Sequence, residues 1–252
     1  MIRTILFLLA ALLWTDPALA FAGAEDRCST AASNLNLGTS LPRVAERIAR
    51  GKPIRVVAIG SSSTAGAGAS EPARSYPGAL EAALGRQLRG MQVEVINKGI
   101  NGDIDPSMVE RFERDVFVQR PHLVIWQVGA NAVLRENGVG AYEVIIRDGV
   151  RRLKASGADV ILMDLQYAPR MLREPDHLDM ETMLARIAAE ERVGLFHRFR
   201  IMQSWLESGR MTNEEMLSPD GLHLNDLSYG CVGRLLAQSI IDSAERHTAG
   251  MR

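Results

Sequence analysis

Two hydrophobic periods alternate along this chain. Short continuous apolar runs at 54–59, 93–96, 123–128 and 159–165, with a weaker one at 194–197, are each bounded by turn residues, the pattern of strands buried on both faces. Between them apolar positions recur at helical spacing over 76–88, 106–118, 142–155 and 179–191, and a last long stretch runs from 226 to 245. Strand followed by helix in that rhythm predicts a parallel sheet covered on both faces by right-handed crossovers. Met180, Met183 and Ile187 form a stripe on the fourth helix that reads as core rather than substrate channel. No repeat, low-complexity tract or Pro/Gly-rich linker divides the chain.

The amino-terminal pattern differs from the rest. Met1-Ile-Arg3, an apolar run from Ile5 to Trp14 and then Ala18-Leu-Ala20 have the charged start, short core and small-residue cleavage site of a secretory signal peptide, removed after Ala20 or Ala22. The run falls short of the roughly 20 apolar residues that a mature spanning helix needs. A retained anchor is the alternative. The expected organisation is therefore a leader at 1–20, an extension at 21–52 with a short helix at 42–49, and one folded domain at 53–247. About 230 residues remain after cleavage, enough to bury a real core.

Charge and cysteine content narrow the classes. The chain carries 29 basic and 30 acidic side chains, a net charge of −1, with the basic residues dispersed, so it has no nucleic-acid footprint. In an oxidising compartment the simplest use of the two cysteines, Cys28 and Cys231, is a disulfide tying the N-terminal segment to the C-terminal helix. The alternative is two unpaired thiols, with Cys231 buried as a small apolar residue.

Polar clusters punctuate the scaffold at one edge. Ser61, Ser62 and Ser63 follow the first strand, Asn97-Lys-Gly99-Ile-Asn-Gly102 the second, and Gly129-Ala-Asn131 the third, all at carboxyl ends, where open α/β sheets collect ligands. Asp220-Gly-Leu-His223 precedes the last helix. Three-residue spacing in a turn lets an aspartate reach the imidazole Nδ1–H and leaves Nε2 free to face a hydroxyl. Each residue also has an ordinary use: a serine after a strand caps a helix, Gly102 serves a turn, Asn131 caps a segment, and Asp220 with His223 makes a surface pair. The other histidines, His122, His177, His197 and His247, have no aspartate at the same preceding spacing.

These four blocks, in this order, resemble those of the SGNH hydrolases, the esterase and lipase superfamily also called GDSL. Gly60-Ser61-Ser62-Ser63 stands where the family has Gly-Asp-Ser-Leu, Gly102 matches the second-block glycine, Asn131 the asparagine of Gly-x-Asn-Asp, and Asp220-Gly-Leu-His223 the final Asp-x-x-His. The resemblance implies a single-domain three-layer α/β/α sandwich around a mostly five-stranded, parallel, flavodoxin-like sheet. It implies Ser62 as nucleophile, His223 as base, Asp220 orienting it, and an oxyanion hole from the Ser62 and Gly102 backbone N–H groups and the Asn131 amide. No metal or organic cofactor is implied. Two positions depart from the family pattern: Ser61 replaces the aspartate beside the nucleophile and Ala132 replaces the aspartate after Asn131, which puts the support around the serine in question.

The roles also follow from chemistry. A serine hydroxyl is a poor nucleophile until a neutral imidazole takes its proton, and attack on an ester carbonyl creates an oxyanion that needs donors. Gly66-Ala-Gly68 after the first strand suggests a dinucleotide site, but the third glycine is missing and Asn97-Lys98 stands where an acidic ribose ligand belongs. A P-loop fails for want of Gly-Lys-Ser/Thr. Remaining rivals are an O-acyltransferase using the same triad and a non-catalytic exported glycan-binding protein on this scaffold. Expected substrates are short acyl esters, acetyl above all, of carbohydrates outside the cytoplasm. The loop 166–177, carrying Arg170 and Arg173, leaves the same sheet edge and is expected to shape the pocket; its arginines either meet an anionic substrate or, as is more usual, sit in solvent.

Overall fold

The computed structural model describes residues 27–135 and 139–249. The leader read at 1–20 lies outside the described residues. Strands β1 (Ile54–Gly60), β2 (Val93–Gly99), β3 (Leu123–Gln127), β4 (Asp159–Met163) and β5 (Gly194–Phe196) form one sheet in the order β2-β1-β3-β4-β5, every neighbouring pair parallel. Val56 to Ile59 on β1 and Leu123 to Trp126 on β3 are wholly buried, as a parallel sheet covered on both faces requires. The chain leaves β1 for β2 on one side and returns to β3 on the other. That reversal opens a crevice at the carboxyl ends of β1 and β3.

The helices that cover the sheet or carry its polar edge are α1 (Pro42–Ala49), α2 (Ser62–Ala65), α3 (Tyr76–Gln87), α4 (Asp105–Glu110), α5 (Ala130–Arg135), α6 (Gly140–Ala155), α7 (His177–Glu191), α8 (Arg198–Glu207) and α9 (Asp226–Ala249). Helices α1, α3 and α9 pack together on one face, and α4, α6 and α7 on the other. Met180 and Ile187 of α7 are fully buried and Met183 nearly so, the core stripe their spacing implied.

Residues before β1 join the same core. Leu37, Leu41, Val44 and Ala45 are buried, the Leu195 N–H donates to the Leu37 carbonyl at 3.0 Å, and Asp159 Oδ2 accepts the Val44 N–H at 2.9 Å. Cys28 and Cys231 meet as a disulfide with Cα atoms 5.2 Å apart, linking the first described turn to α9 across 203 residues.

The single helix expected over 106–118 is corrected. It is broken into α4, a turn at Arg111, a short helix Phe112–Asp115 and a 3-10 turn Phe117–Gln119 that ends on Arg120 at a left-handed φ of 49°. The physical reason is tertiary: at the break the Arg111 guanidinium is drawn under the ends of β1 and β2, where it donates to the Gly60 and Lys98 carbonyls, and these bonds to distant backbone override the local helical period. Phe112 packs edge-on against Trp126, ring centres 5.1 Å apart. Strand ends also move, three of them by one residue: β2 runs on to Gly99, and β4 stops at Met163, because Asp164 turns its carboxylate to the Phe199 N–H at the start of α8 (2.9 Å).

Candidate active site

Ser62 opens α2 immediately after β1, half-buried at the crevice. Behind it, Gln127 at the end of β3 accepts both the N–H and the hydroxyl of Ser61 through Oε1, each at 2.9 Å. This pairing occupies the place where an aspartate precedes the serine in the GDSL pattern. The turn that presents Ser62 is thus fixed from the neighbouring strand rather than by a charged residue.

The histidine arrives on a tight loop. The Ser218 N–H donates to the His223 carbonyl at 2.8 Å, and Leu217 bridges Leu224 in antiparallel fashion. Within this loop Asp220 Oδ1 accepts from the Ser218 hydroxyl (2.8 Å) and from the Leu222 and His223 N–H groups (2.9 Å each). Its other oxygen lies 2.5 Å from His223 Nδ1, and His223 Nε2 lies 2.7 Å from Ser62 Oγ. Partial burial works to raise the Asp220 carboxyl; the hydrogen bonds from the His223 ring, the two backbone N–H groups and Ser218 outweigh it and hold the group well below the usual carboxylate range. Gly68 explains the glycine pair that suggested a dinucleotide site. It sits at φ +89°, and a Cβ there would come within 2.3 Å of the Leu224 carbonyl oxygen and 3.1 Å of His223 Cβ. Only glycine lets the segment after α2 press against the histidine loop.

Gly102 and Asn131 complete the rim. Gly102 has φ +76°, and neither its backbone N–H nor that of Ser62 donates to any described group. The Asn131 amide, nearly buried, donates to the Asp103 carbonyl at 2.8 Å, which leaves its second amide hydrogen unused. Below the rim, Arg111 forms buried ion pairs with Asp103 (2.8 Å) and Asp115 (2.9 Å) and donates to the Gly60 and Lys98 carbonyls (3.2 and 2.9 Å), tying the ends of β1 and β2 together. Asp105 accepts the Gly129 N–H at 3.0 Å, and burial pushes its carboxyl up to about 6.

The structure therefore brings Ser62, Gly102, Asn131 and His223 to one cleft of about 370 Å³, with Asp220 behind the histidine and Arg135 and Arg170 on the walls. His122, His177 and His197 line no part of it: His122 Nδ1 accepts the Arg55 N–H at 2.9 Å, His177 bonds the Glu174 carbonyl, and His197 stands beside Asp164. A larger hollow, about 500 Å³ around Arg43 and Asp159, lies at the opposite edge and is lined by no histidine that could activate its Ser40. Sequence reasoning passed over Gln127, Arg111 and Asp105. Gln127 alone had a local signal, a polar residue inside the apolar run 123–128.

Beneath the loop that leaves β4 lies a second polar group. Asp164 and Arg198 are buried, and Glu181 accepts the Leu165 N–H at 3.0 Å. Arg198 donates to the Asp164 and Leu165 carbonyls and to Gln166. Burial pushes Asp164 up to about 7 against the lowering pull of the Phe199 N–H, Arg198 and a hydrogen bond from Glu181, while burial and then the Asp164 charge raise Glu181 well above the carboxylate range.

Strand order, crevice and cleft lining define a class, the ester hydrolases of the SGNH serine type. Within it the chain belongs to the non-GDSL lipase-like family, which it matches over residues 27–246. It is 25% identical to an arylesterase of Vibrio mimicus over 168 residues, 67% of this chain and 79% of that one. Among solved structures it resembles a two-domain esterase active on acetylated mannans (TM-score 0.68, 19% identity), covering 83% of this chain and only 56% of that longer one. It also resembles a variant of an acetyl xylan esterase from Geobacillus stearothermophilus (TM-score 0.64, 20% identity), covering 75% of this chain and 96% of the other. At these identities the structural likeness is one of fold.

Proposed function

We propose that the protein is an exported serine esterase that removes short acyl groups, acetyl in particular, from carbohydrates. The observation that carries this reading is the unbroken relay from Asp220 through His223 to Ser62, 2.5 and 2.7 Å, opening onto a cleft rimmed by unused N–H donors. Ser62 Oγ attacks the ester carbonyl as His223 Nε2 takes its proton, and Asp220 holds the ring's tautomer and stabilises the imidazolium. The oxyanion is received by the Ser62 and Gly102 N–H groups and the second amide hydrogen of Asn131. As the tetrahedral intermediate collapses, the ester C–O bond breaks and His223 returns the proton to the departing alcohol. Water, deprotonated by the same imidazole, then releases the acid and restores Ser62. The chemistry calls on no metal.

Export rests on the signal-peptide pattern at 1–20. Among the described residues no helix is long and apolar enough to cross a membrane. The acetylated-glycan substrate is supported by the company the fold keeps, enzymes described as acting on acetylated mannans and xylan. The test is Ser62→Ala. Its hydrolysis of a chromogenic acetyl ester should fall by a factor on the order of a million, with loss of the fluorophosphonate adduct and an unchanged melting temperature. Full labelling of the Ser62→Ala protein overturns the reading.

A further inference from the structure

Two guanidinium groups on the cleft walls are not used by the mechanism. Arg135 Nη1 donates to the Gly102 carbonyl at 3.0 Å, and its other Nη lies 2.9 Å from where a Gly102 Cβ would stand, so the guanidinium lies directly against the oxyanion side of the cleft. Arg170 stands on the other side, its backbone N–H bonded to the Gly221 carbonyl (3.3 Å) in the loop that carries His223. Both side chains are exposed. Neither forms an ion pair with a described carboxylate, whereas Arg111 below the rim pairs with Asp103 and Asp115. The nearby acids are already committed, Asp103 to Arg111 and Asp220 to His223. A chain of net charge −1 thus gathers at its nucleophile two positive charges that no described carboxylate pairs.

The chemistry says which part of the substrate meets them. His223 Nε2 must reach the departing oxygen, so the alcohol portion of the ester lies on the histidine side of Ser62, where Arg170 is anchored. We propose, building on the esterase reading above, that the cleft selects esters whose alcohol portion bears an oxyanion, a carboxylate or a phosphate on the sugar. Arg170 receives the charge, and Arg135 adds to the attracting field across the cleft. Planar guanidinium donors match either group, and a recess lined by charge of one sign concentrates ligands of the other.

The experiment compares three acetyl esters of matched size: a neutral oligosaccharide, an oligouronate and a phosphorylated sugar. At low ionic strength kcat/KM should favour at least one anionic ester over the neutral one by on the order of tenfold, mainly through KM. Which ester gains identifies the source of the charge. The ratio should fall towards one in Arg170→Gln and further in Arg135→Gln/Arg170→Gln. It should also fade in 1 M salt, where screening acts within about 3 Å. Equal kcat/KM for all three esters, or a preference that survives the double substitution, overturns the inference. Fluorophosphonate labelling and turnover of 4-methylumbelliferyl acetate by the same wild-type sample separate the two levels. A protein that labels and turns over yet ignores substrate charge removes only this inference, whereas one that does neither removes the esterase reading beneath it.

Discussion

Two aspartates at the same edge of the sheet behave in opposite ways. Asp220 sits in an exposed turn, surrounded by four donors that hold its carboxyl low. Asp164 is wholly buried beside a second acid, Glu181, and burial lifts both. Solvent does not decide the outcome alone. A partly buried carboxylate ionises readily when enough N–H and O–H groups point at it, and in a deeply buried one burial outweighs the hydrogen bonds and the arginine that favour the charge. On the proposed mechanism the turn holds a charge that serves the reaction while the cluster beneath the 166–177 loop serves packing, so changes in the two regions should register in different measurements.

The largest difference is expected from Asp220→Asn. The geometry survives, but Nδ1 loses its anionic partner and the ring loses its preferred tautomer. We expect kcat to fall by roughly 10⁴-fold, with the melting temperature little changed. A variant with near-normal turnover would make Asp220 a turn residue only. Next comes Asn131→Ala. Removing the amide should lower kcat by about 10² to 10³ and leave KM comparatively unchanged, since the oxyanion bond strengthens only as charge develops. The lost bond to the Asp103 carbonyl should add about 1 kcal/mol of instability. If stability falls and turnover does not, Asn131 belongs to the scaffold rather than the chemistry.

The smallest effect belongs to the buried pair. Burial raises the Asp164 and Glu181 carboxyls in the fold above the range, near pH 4, in which the unfolded chain gives up its carboxyl protons. The folded state therefore binds more protons than the unfolded one, and the stability linked to them declines as pH rises from about 4 towards 7. Asp164→Asn keeps an acceptor for the Phe199 N–H and cannot titrate. Between pH 5 and pH 7 its stability should drop less than that of the wild type, by on the order of 1–2 kcal/mol in chemical denaturation. Parallel curves for the two proteins would mean that the cluster stays ionised.

The same contrast separates what the sequence made legible from what it did not. Strands such as 123–128 could be read because a sheet covered on both faces demands unbroken apolar runs, and the order of the four polar blocks pointed to one sheet edge. Helix α8 escaped notice because charged and polar residues interrupt its apolar face, although Phe199, Ile201, Met202 and Trp205 all pack inward. Nothing in the sequence around Arg198 and Arg111 announces that both are buried. Their partners come from distant segments, Arg198 reaching back to Asp164 and Gln166 and Arg111 to Gly60. Gln127 falls between these cases, conspicuous by type, while its hold on the Ser61 N–H and hydroxyl became visible only when β3 lay beside β1.

The bond between His223 and Ser62 joins residues 161 positions apart. Closing so long a loop belongs to the late, slow part of assembling a parallel sheet, because distant contacts form only after much chain entropy has been given up. A polypeptide still emerging from synthesis has its serine long before its histidine is in place. On the proposed mechanism such a chain is inert towards esters, and the onset of turnover after dilution from denaturant marks the moment at which the loop carrying His223 has docked.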